Sequence, residues 1–459
     1  MIDLEKYRHY HFIGIGGIGM SALAEILLSE GYTVSGSDMK RSEITDHLAS
    51  LGAEIFEGHA AENVEDADIV IYTVAIPNDN PEYSRAVVKG IPLFTRAELL
   101  GEMMRRKKYS IAISGAHGKT TTTSMISLIL EHAGFDPTLL VGGNLPEIHG
   151  NVKIGRSDYL VTESCEYKDS FLDMRPSVAV ILNIAEEHLD YFTGGISQIK
   201  SSFEQFASLV PTNGKIIAGW ENEHVRSVLK NLDRNIITFG LGVGYDYYAE
   251  NIEFDDMGMP SFDAYCRGEY LGSAHLKVPG EHNVKNAMAA IACTHSLGAP
   301  LDKIMETLAN YTGTKRRCEF ITKLPAGTLL VDDYAHHPEE IRATLSAAKK
   351  IPVEKVWCIF QPHTYTRLRD LMREFTDAFR DADVVVLAKV YPAREQDIYG
   401  VHSDDLYRNI QKKHPDKEVY YFDTFEEIAD FVKKNVGERD MAMTMGAGDI
   451  YKVLDLLQN

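Results

Sequence analysis

The chain has 459 residues, of which 44% are hydrophobic and 25% are charged; this is ordinary globular composition with room for about three domains. The formal net charge of −20 disfavours a general nucleic-acid binder or a basic membrane-surface protein, although a single pocket could still bind a small anion. Five scattered cysteines, no signal-peptide pattern and no apolar run of roughly 20 residues predict a cytoplasmic protein without disulfides or membrane insertion.

Residues 1–107 alternate short apolar strands with helices. The segments HFIGIG, YTVSGSD and ADIVIYTVAI are predicted strands, and GMSALAEILLSEG and ITDHLASLG are predicted helices. Strands that alternate with helices predict a parallel, doubly wound sheet, and therefore a Rossmann-like N-terminal domain.

A glycine-rich turn joins the first predicted strand to the first predicted helix. Such glycines let the backbone approach a diphosphate, and the helix N-terminus offers free N–H groups to it. Asp38 ends the second strand 19 residues after the last glycine, at the spacing of a ribose-binding acid. A turn that binds nothing is the alternative, and the pattern does not name the nucleotide, NAD being the usual one. The candidate glycines are Gly14, Gly16, Gly17 and Gly19.

Residues 108–315 begin with a second strand–loop–helix unit, YSIAISG followed by TTTSMISLILEHAG. DYLVTES and SVAVILNI are predicted buried strands, and NVKNAMAAIACTHSLG is a predicted helix. Alternation and turn residues over 247–278 predict antiparallel strands added to the sheet. A central domain with a mixed sheet is expected.

The loop of this second unit ends like a P-loop. Its backbone N–H groups would hold phosphates, Lys119 would reach the β- and γ-phosphate oxygens, and the Thr120 hydroxyl would hold Mg²⁺. Ile113 stands where the strict pattern has its first glycine, and a chance Gly-Lys-Thr at a helix start is the alternative. The candidate loop residues are Gly115, His117, Gly118, Lys119, Thr120 and Thr121.

Two further metal-ligand candidates follow later strands of this block. Glu163 ends DYLVTE, and His188 comes just after SVAVILNI. Because parallel strands present their carboxyl ends on one edge of a sheet, both side chains are expected near Lys119. Together with Thr120 they are the predicted ligands of Mg²⁺, and an ordinary surface histidine is the alternative for His188.

Residues 316–459 repeat the alternating pattern. PEEIRATLSAAKKI and EEIADFVKKNV are predicted amphipathic helices. A Rossmann-like C-terminal domain is expected. The predicted strands are TLLVDDY, KVWCIF, DVVVLAK, EVYYFD and MAMTMG.

Taken together, these motifs resemble the Mur ligase family over essentially the whole chain. The resemblance rests on HFIGIGGIGMSALAEIL, GAHGKTTT, TESCEYKDSF, NIAEEHLDYF, VPGEHNVKNAMAAIA, GTKRRCEF, VDDYAHHPEEI, FQPHTYTRLRDL and MGAGDIY. It implies an α/β protein of three domains, which would bind a UDP-sugar (1–107), bind ATP (108–315), and contact the amino acid and ATP (316–459). It also implies that the first glycine loop holds UDP rather than NAD.

The resemblance implies an ATP-dependent ligase of peptidoglycan precursor synthesis. ATP would phosphorylate the carboxylate of UDP-N-acetylmuramate, and the amine of L-alanine would attack the acyl phosphate, giving the amide, ADP and phosphate. Lys119 would stabilise the transferring phosphoryl group, Thr120 and Glu163 would hold one Mg²⁺, and His188 would hold a second. These small molecules are the expected partners, without nucleic acid, and a monomer or weak homodimer is expected.

Further positions match the ATP-side residues of the family. Asn283 and Asn286 would contact ATP, with helix capping as their alternative role. Arg317 would reach the phosphates, with Arg316 as the competing choice, and Asp333 would contact the ATP side.

The amino-acid substrate is expected at a third group of positions. His363 and Arg367 would receive its carboxylate, which suits an arginine fork, and His336, next to His337, would line the closed site. A turn before proline and a surface helix start are the alternatives.

Three departures from the family pattern stand out. Ala116 replaces a usual Thr, Thr364 replaces a frequent Arg and so weakens any two-arginine alanine site, and residues 165–168 replace an acidic segment. Three rival functions remain: a ligase that recycles murein tripeptide, an NAD-dependent oxidoreductase, and a nucleotide sensor without catalysis.

Overall fold

The computed structural model describes residues 4–73, 76, 79–188, 191–255, 258–349, 351–393 and 395–458. The chain divides into two compact units. The first comprises residues 1–253, 261–277 and 281–312, and the second comprises residues 254–260, 278–280 and 313–459. The division into three domains at 107/108 and 315/316 stays a prediction.

The first unit contains a parallel five-stranded sheet in the order β3-β2-β1-β4-β5. The doubly wound sheet predicted for this block is confirmed, and Val74 and Ala75 of the predicted strand ADIVIYTVAI lie outside the described residues. Its elements are β1 (His9–Ile13), α1 (Ile18–Ser29), β2 (Thr33–Asp38), α2 (Glu43–Ser50), β3 (Glu54–Glu57), β4 (Ile69–Tyr72), α3 (Pro81–Lys89), β5 (Leu93–Thr95) and α4 (Arg96–Arg105).

The same unit contains a second, mixed sheet in the order β15-β14-β13-β12-β11-β10-β6-β9-β7-β8. Its first part comprises β6 (Tyr109–Ser114), α5 (Lys119–His132), β7 (Thr138–Leu145), β8 (Gly150–Lys153), β9 (Tyr159–Glu163), β10 (Val178–Ile181) and α6 (Ile196–Leu209). Its second part comprises β11 (Lys215–Gly219), α7 (Glu223–Leu229), β12 (Ile236–Leu241), β13 (Tyr247–Phe254), β14 (Pro260–Cys266), β15 (Glu269–His275), α8 (Glu281–Ser296) and α9 (Leu301–Asn310).

One prediction for this sheet is wrong. Strands β14 and β15 are antiparallel as expected, but β13 pairs in parallel with β12. The connection between β12 and β13 has positive φ at Gly242 and Gly244, which lets the chain double back and run in the same direction. Asp246 fixes this turn because its carboxylate accepts hydrogen bonds from the backbone and hydroxyl of Thr238, at 2.9 and 3.0 Å.

The second unit contains a six-stranded sheet in the order β16-β17-β21-β18-β19-β20. All its pairs are parallel except β16 with β17, and apolar side chains are buried on both faces. Lys350 of the predicted first helix lies outside the described residues. The elements are β16 (Glu319–Lys323), β17 (Leu329–Asp333), α10 (Pro338–Ala348), β18 (Val356–Phe360), α11 (Tyr365–Asp370), α12 (Met372–Thr376), β19 (Val384–Leu387), α13 (Ser403–Lys413), β20 (Glu418–Tyr421), α14 (Phe425–Asn435), β21 (Met441–Met445) and α15 (Lys452–Gln458).

The predicted α/β fold class is confirmed, since each sheet is built from strands that alternate with helices. Throughout the described parts of the chain, each helix is too short or too polar to cross a membrane.

Candidate active site

The first glycine loop, residues 14–19, connects β1 to α1 and lies against the end of β2. The N–H groups of Gly14 and Ile15 donate to the Ser37 carbonyl, at 2.8 and 3.0 Å. Gly16 donates its N–H to the Asp38 carboxylate at 2.9 Å, and a Cβ at Gly16 would lie 2.8 Å from that oxygen. The predicted ribose-binding acid therefore binds the loop itself, and its contact with a ribose stays a prediction.

The first turn of α1 is suited to an anion. Gly17 precedes the helix and supplies no side-chain cap, and the first turn contains no acidic residue. Among the described residues, the N–H groups of Ile18 and Gly19 have no backbone acceptor. Free N–H groups at a helix start, with the positive end of the helix dipole, favour a phosphate.

The sequence analysis missed Glu82, a buried acid that contacts the first glycine loop through Ser37. Glu82 accepts a hydrogen bond from the Ser37 hydroxyl at 2.6 Å and from Asn63 Nδ2 at 2.6 Å. Its carboxylate also lies 3.6 Å from His11 Nε2 and 3.3 Å from His59 Nδ1. Burial alone would raise the pKa of Glu82, but His11, His59 and Ser37 lower it to about 2. The Glu82 carboxylate thus binds the side chain of Ser37, whose carbonyl accepts hydrogen bonds from the first glycine loop.

The second glycine loop connects β6 to α5. Gly115 and Gly118 have φ of +139° and +87°, and a Cβ at Gly118 would overlap the Asn286 side-chain oxygen. Asn183 clamps the loop, since its amide accepts from His117 N at 2.9 Å and donates to His117 O at 3.0 Å. The geometry explains why glycine is required at both positions.

Both predicted ATP-side asparagines lie at this loop. Asn286 Nδ2 donates to Asn283 Oδ1 at 3.0 Å, and both side chains are buried on α8. Both lie within α8, Asn283 in its first turn, and their contact with ATP stays a prediction.

Lys119 begins α5 and turns back onto its own loop. Its ammonium donates to the carbonyls of Gly115 and Ala116, the latter at 3.0 Å, and lies 3.3 Å from the Glu166 carboxylate. Burial opposes the charged form, but Glu166 and further carboxylates raise the pKa of Lys119 above its ordinary value. Thr120 is buried in the next position, and Thr121 is half-buried.

Glu163 lies at the end of β9, as expected. Its carboxylate accepts a 2.6 Å hydrogen bond from Gly142 N, and its charge acts on both Lys119 and Arg96. A Cβ at Gly142 would lie 2.5 Å from either carboxylate oxygen, so only glycine allows this approach.

His188 has close acidic neighbours that the sequence analysis did not assign. One ligand atom each from Glu166, Glu187 and His188 lie within 4.8 Å of one another. Mg²⁺ prefers oxygen ligands. Two carboxylates together with the imidazole therefore fit the predicted ion better than a single imidazole does. His188 has φ of +54°, an uncommon conformation for a residue other than glycine, and its ring contacts that of Tyr167. Leu189 and Asp190, which follow in the motif, lie outside the described residues.

In the second unit, the structure distinguishes Arg316 from Arg317. Arg316 donates to Asp332 at 2.9 Å, to Gly448 O at 3.0 Å and to Gly446 O at 2.5 Å. Arg317 has no ion pair within 4.0 Å to a carboxylate of the described residues, and its guanidinium lies 5.6 Å from the centre of the Tyr334 ring. The Arg316 guanidinium is therefore engaged by the protein itself, and the contact of Arg317 with the ATP phosphates stays a prediction.

Asp333 lies beside Arg317 at the end of β17. It accepts hydrogen bonds from Cys318 N at 2.7 Å and Ala335 N at 2.8 Å. Burial raises its pKa to about 6, although the charge of Arg317 opposes this rise.

The residues expected at the amino acid form one cluster in this unit. Arg367 Nη1 lies 3.0 Å from His363 Nδ1, and the His363 and His336 rings are 5.8 Å apart. His337 instead caps α10, and the role of His336 at the amino acid stays a prediction. Thr364 has φ of +67°, a strained conformation for a β-branched residue, and its hydroxyl caps α11.

Comparisons with known proteins cover the whole chain. Residues 9–108 match the family model "Mur ligase family, catalytic domain", residues 113–294 match "Mur ligase middle domain", and residues 316–448 match "Mur ligase, glutamate ligase domain". The UDP-N-acetylmuramate–L-alanine ligase of Alkaliphilus metalliredigens is 48% identical over 456 residues, which are 99% of this chain and 98% of that protein. The corresponding protein of Caldanaerobacter subterraneus is 48% identical over 98% of this chain and 97% of its own length.

Solved structures agree with these matches. The UDP-N-acetylmuramate–alanine ligase of Thermotoga maritima has a TM-score of 0.80 at 32% identity, covering 98% of each chain. A murein peptide ligase of Psychrobacter arcticus has a TM-score of 0.73 at 25% identity, covering 98% of this chain and 99% of its own. The chain belongs to the Mur ligase family.

Proposed function

We propose that this chain is an ATP-dependent ligase that joins L-alanine to the carboxylate of UDP-N-acetylmuramate in peptidoglycan precursor synthesis. The observation that carries the proposal is the second glycine loop, where Lys119 lies among Glu163, Glu166 and His188. The substrates are taken from the names of the relatives that are 48% identical over nearly the full length. The cytoplasm is the expected compartment.

A carboxylate is a poor electrophile, and the proposed reaction activates it by phosphorylation. A carboxylate oxygen attacks the γ-phosphorus of ATP, and ADP leaves. The amine of L-alanine then attacks the acyl carbon, the C–O bond to phosphate breaks, and an amide, phosphate and a proton result. Charge develops at the transferring phosphoryl group, so catalysis depends on positioning and on electrostatic stabilisation.

Lys119 has the central role in this scheme. Its ammonium now donates to carbonyls of its own loop, and phosphate oxygens would replace those acceptors when ATP binds. The elevated pKa keeps the side chain charged at neutral pH. Asn283 and Asn286 would fix the nucleotide beside the loop.

Magnesium fits the donors present. Thr120 and Glu163 would hold one ion, and His188 with Glu166 and Glu187 would hold a second. When bound, Mg²⁺ would supply positive charge to the phosphate and carboxylate oxygens.

The second unit offers complementary groups. Arg317 would bind phosphate oxygens and Asp333 would contact the ATP side. Arg367, with His363 and His336, would hold the carboxylate of L-alanine. The single arginine of this cluster, with Thr364 beside it, implies a one-arginine carboxylate site.

The test is phosphate release with Mg-ATP, UDP-N-acetylmuramate and single amino acids. We expect release that requires both the UDP-sugar and the amino acid and that is fastest with L-alanine, compared with glycine and L-serine. Release only with an L-alanyl peptide would instead indicate the recycling reaction. Absence of release with every amino acid, or tight binding of NAD, would contradict the proposal.

A further inference from the structure

The proposed second Mg²⁺ site takes its donors from two different segments of the chain. Glu166 immediately precedes a short 3₁₀ segment, Tyr167–Asp173, which follows β9. His188 follows β10, and its carbonyl accepts hydrogen bonds from the N–H groups of Tyr191 and Phe192, both at 2.9 Å. If Glu166 and His188 are to bind one ion, the fold must hold these two turns at a fixed separation.

Asp169 lies one turn after Glu166 and joins the two segments. Its N–H donates to the Glu166 carbonyl at 2.9 Å, so its backbone belongs to the same turn as that acid. Its carboxylate accepts a 2.7 Å hydrogen bond from the hydroxyl of Tyr191, which ends the turn that begins at His188. The hydrogen bond between the two side chains therefore connects the turn of Glu166 to the turn of His188.

The other carboxylate oxygen of Asp169 is bound to a helix. It accepts a 2.5 Å hydrogen bond from the hydroxyl of Ser202, a buried residue of α6. Since the two oxygens have donors from different elements, the carboxylate cannot rotate without breaking one of these bonds. The bond to Asp169 also raises the pKa of Tyr191, so the phenol remains the donor well above neutral pH.

The backbone at Asp169 has an uncommon conformation. Lys168 and Asp169 have φ of +53° and +56°, in the left-handed region that residues other than glycine rarely adopt, and they adopt it in succession. Such conformations persist only where surrounding contacts hold them, and they are concentrated at functional sites. The hydrogen bonds from Tyr191 and Ser202 supply contacts of this kind.

Aromatic packing connects the same two turns. The ring centre of Tyr167 lies 4.7 Å from that of His188 and 6.3 Å from that of Tyr191. Asp169 is not one of the three donors of the cluster, and the sequence analysis gave no role to Asp169 or Tyr191. Their contacts hold the segments that carry the donors and leave the donor atoms themselves available.

We propose that Asp169 is a positioning residue of the ligase reaction, which acts through Tyr191 to set the separation of Glu166 and His188. The inference rests on the proposed function, because that function requires the ion that these groups would hold. Ser202 keeps Asp169 in place from α6. In this role Asp169 touches neither the ion nor a substrate.

The test measures Mn²⁺ binding to the intact chain at constant ATP concentration by electron paramagnetic resonance. Removing a group that orients metal ligands typically weakens metal binding 10- to 100-fold, so we expect a loss of about tenfold in both Tyr191→Phe and Asp169→Ala. The double variant should be no weaker than the weaker single variant, because both changes remove one shared hydrogen bond. Affinity for UDP-N-acetylmuramate, measured by calorimetry, should stay within about twofold of wild type.

Two controls change similar groups on strands far along the sheet. Asp263 on β14 also accepts from a serine hydroxyl, that of Ser273, and from Asn251 at 2.7 Å, so Asp263→Ala is matched to the aspartate variant. Tyr270→Phe is matched to the tyrosine variant, because the Tyr270 hydroxyl lies 2.8 Å from the Ser273 hydroxyl. Both controls should bind Mn²⁺ like wild type.

Hydrogen exchange without metal or nucleotide provides a second readout. The amides of Tyr191 and Phe192 should exchange faster in Tyr191→Phe and Asp169→Ala than in wild type. Asp169→Asn keeps an acceptor for the Tyr191 hydroxyl and tolerates the positive φ, so it should restore most of the Mn²⁺ affinity. If the alanine variant unfolds, Tyr191→Phe tests the same hydrogen bond with the carboxylate in place.

Wild-type Mn²⁺ affinity in Tyr191→Phe and in a folded Asp169 variant would overturn the inference, and the ligase function would stand. An equal loss of Mn²⁺ and UDP-sugar affinity would also overturn it, because that pattern indicates general damage to the fold. A wild-type chain that releases no phosphate with any amino acid would overturn the proposed function and the inference together.

Discussion

The glycine loops at β1–α1 and β6–α5 each join the carboxyl end of a parallel strand to a helix, but only the second carries its own lysine. In the first loop, Asp38 accepts the Gly16 N–H and the nearest guanidinium comes from Arg96 on another helix. In the second, Lys119 follows Gly118 directly and three carboxylates surround it. Under the proposed function, the same strand–loop–helix arrangement would hold a diphosphate at the first loop and support phosphoryl transfer at the second.

The substitution Lys119→Ala tests most directly whether the two loops have separate roles. We expect turnover to fall by at least about 1,000-fold, because the positive charge of Lys119 no longer stabilises the transferring phosphoryl group. Affinity for UDP-N-acetylmuramate should stay within about twofold of wild type. Phosphate release and calorimetry measure the two effects. Lys153→Ala, which removes a lysine paired with Glu131 and Asp136, is the control and should turn over normally. Loss of UDP-sugar binding in the Lys119 variant would show that the loops are not independent.

The support of the first loop can be tested with Glu82→Gln. The pKa of Glu82 is about 2, below the ordinary 4.5, so its stabilising effect is complete above pH 4.5 and is lost as the pH falls toward 2. Urea unfolding at pH 7 should show a loss of about 3 kcal/mol, and the difference from wild type should shrink below pH 4.5. The exposed Glu62→Gln is the control. A difference that is constant from pH 7 to pH 3 would contradict the ionic role of Glu82.

The metal site proposed beside the second loop is tested by Glu163→Gln. We expect kcat to fall by about 100-fold and the half-saturating Mg²⁺ concentration to rise, because a charged oxygen ligand is lost. Mn²⁺ binding in the presence of ATP, followed by electron paramagnetic resonance, provides a readout other than activity. UDP-sugar affinity should be unchanged, and Glu131→Gln should behave like wild type. Unaltered Mn²⁺ binding in the Glu163 variant would remove that residue from the metal site.

The smallest expected effect concerns the proposed L-alanine site, which contains no glycine loop. Arg367→Lys should raise the KM for L-alanine by about tenfold and leave the KM values for ATP and the UDP-sugar unchanged, since lysine lacks the carboxylate-matching fork. Arg369→Lys, two positions later and paired with Asp370, is the matched control. An equal rise in KM for ATP would indicate that Arg367 acts elsewhere.

The sequence was sufficient for features that local spacing determines. Both glycine loops, the sheet type of each block and the positions of Glu163 and Lys119 follow from strand–loop–helix order. Long-range approaches were not predictable: Arg96 packs on Gly19, and Asn183 clamps His117, across large separations in the chain. The local geometry of single residues was not predictable either: Arg316 has φ of +61°, and its guanidinium donates to the backbone carbonyls of Gly446 and Gly448.

The candidate metal ligands also depend on contacts between residues that are far apart in the sequence. His188 was found from its motif, but Glu166 and Glu187 gained meaning only when the fold brought their carboxylates to it. The parallel pairing of β13 was missed for a related reason, since a short glycine-containing connection usually suggests an antiparallel hairpin.

The most direct test of the account is the fate of the oxygen atoms of the substrate carboxylate. UDP-N-acetylmuramate labelled with ¹⁸O in this carboxylate would be converted with ATP and L-alanine, and the phosphate released would be analysed by mass spectrometry. An acyl-phosphate route predicts one ¹⁸O atom in each phosphate, with the amide product retaining the other. Phosphate without label would contradict phosphoryl transfer to the substrate carboxylate, and with it the role assigned to the second glycine loop.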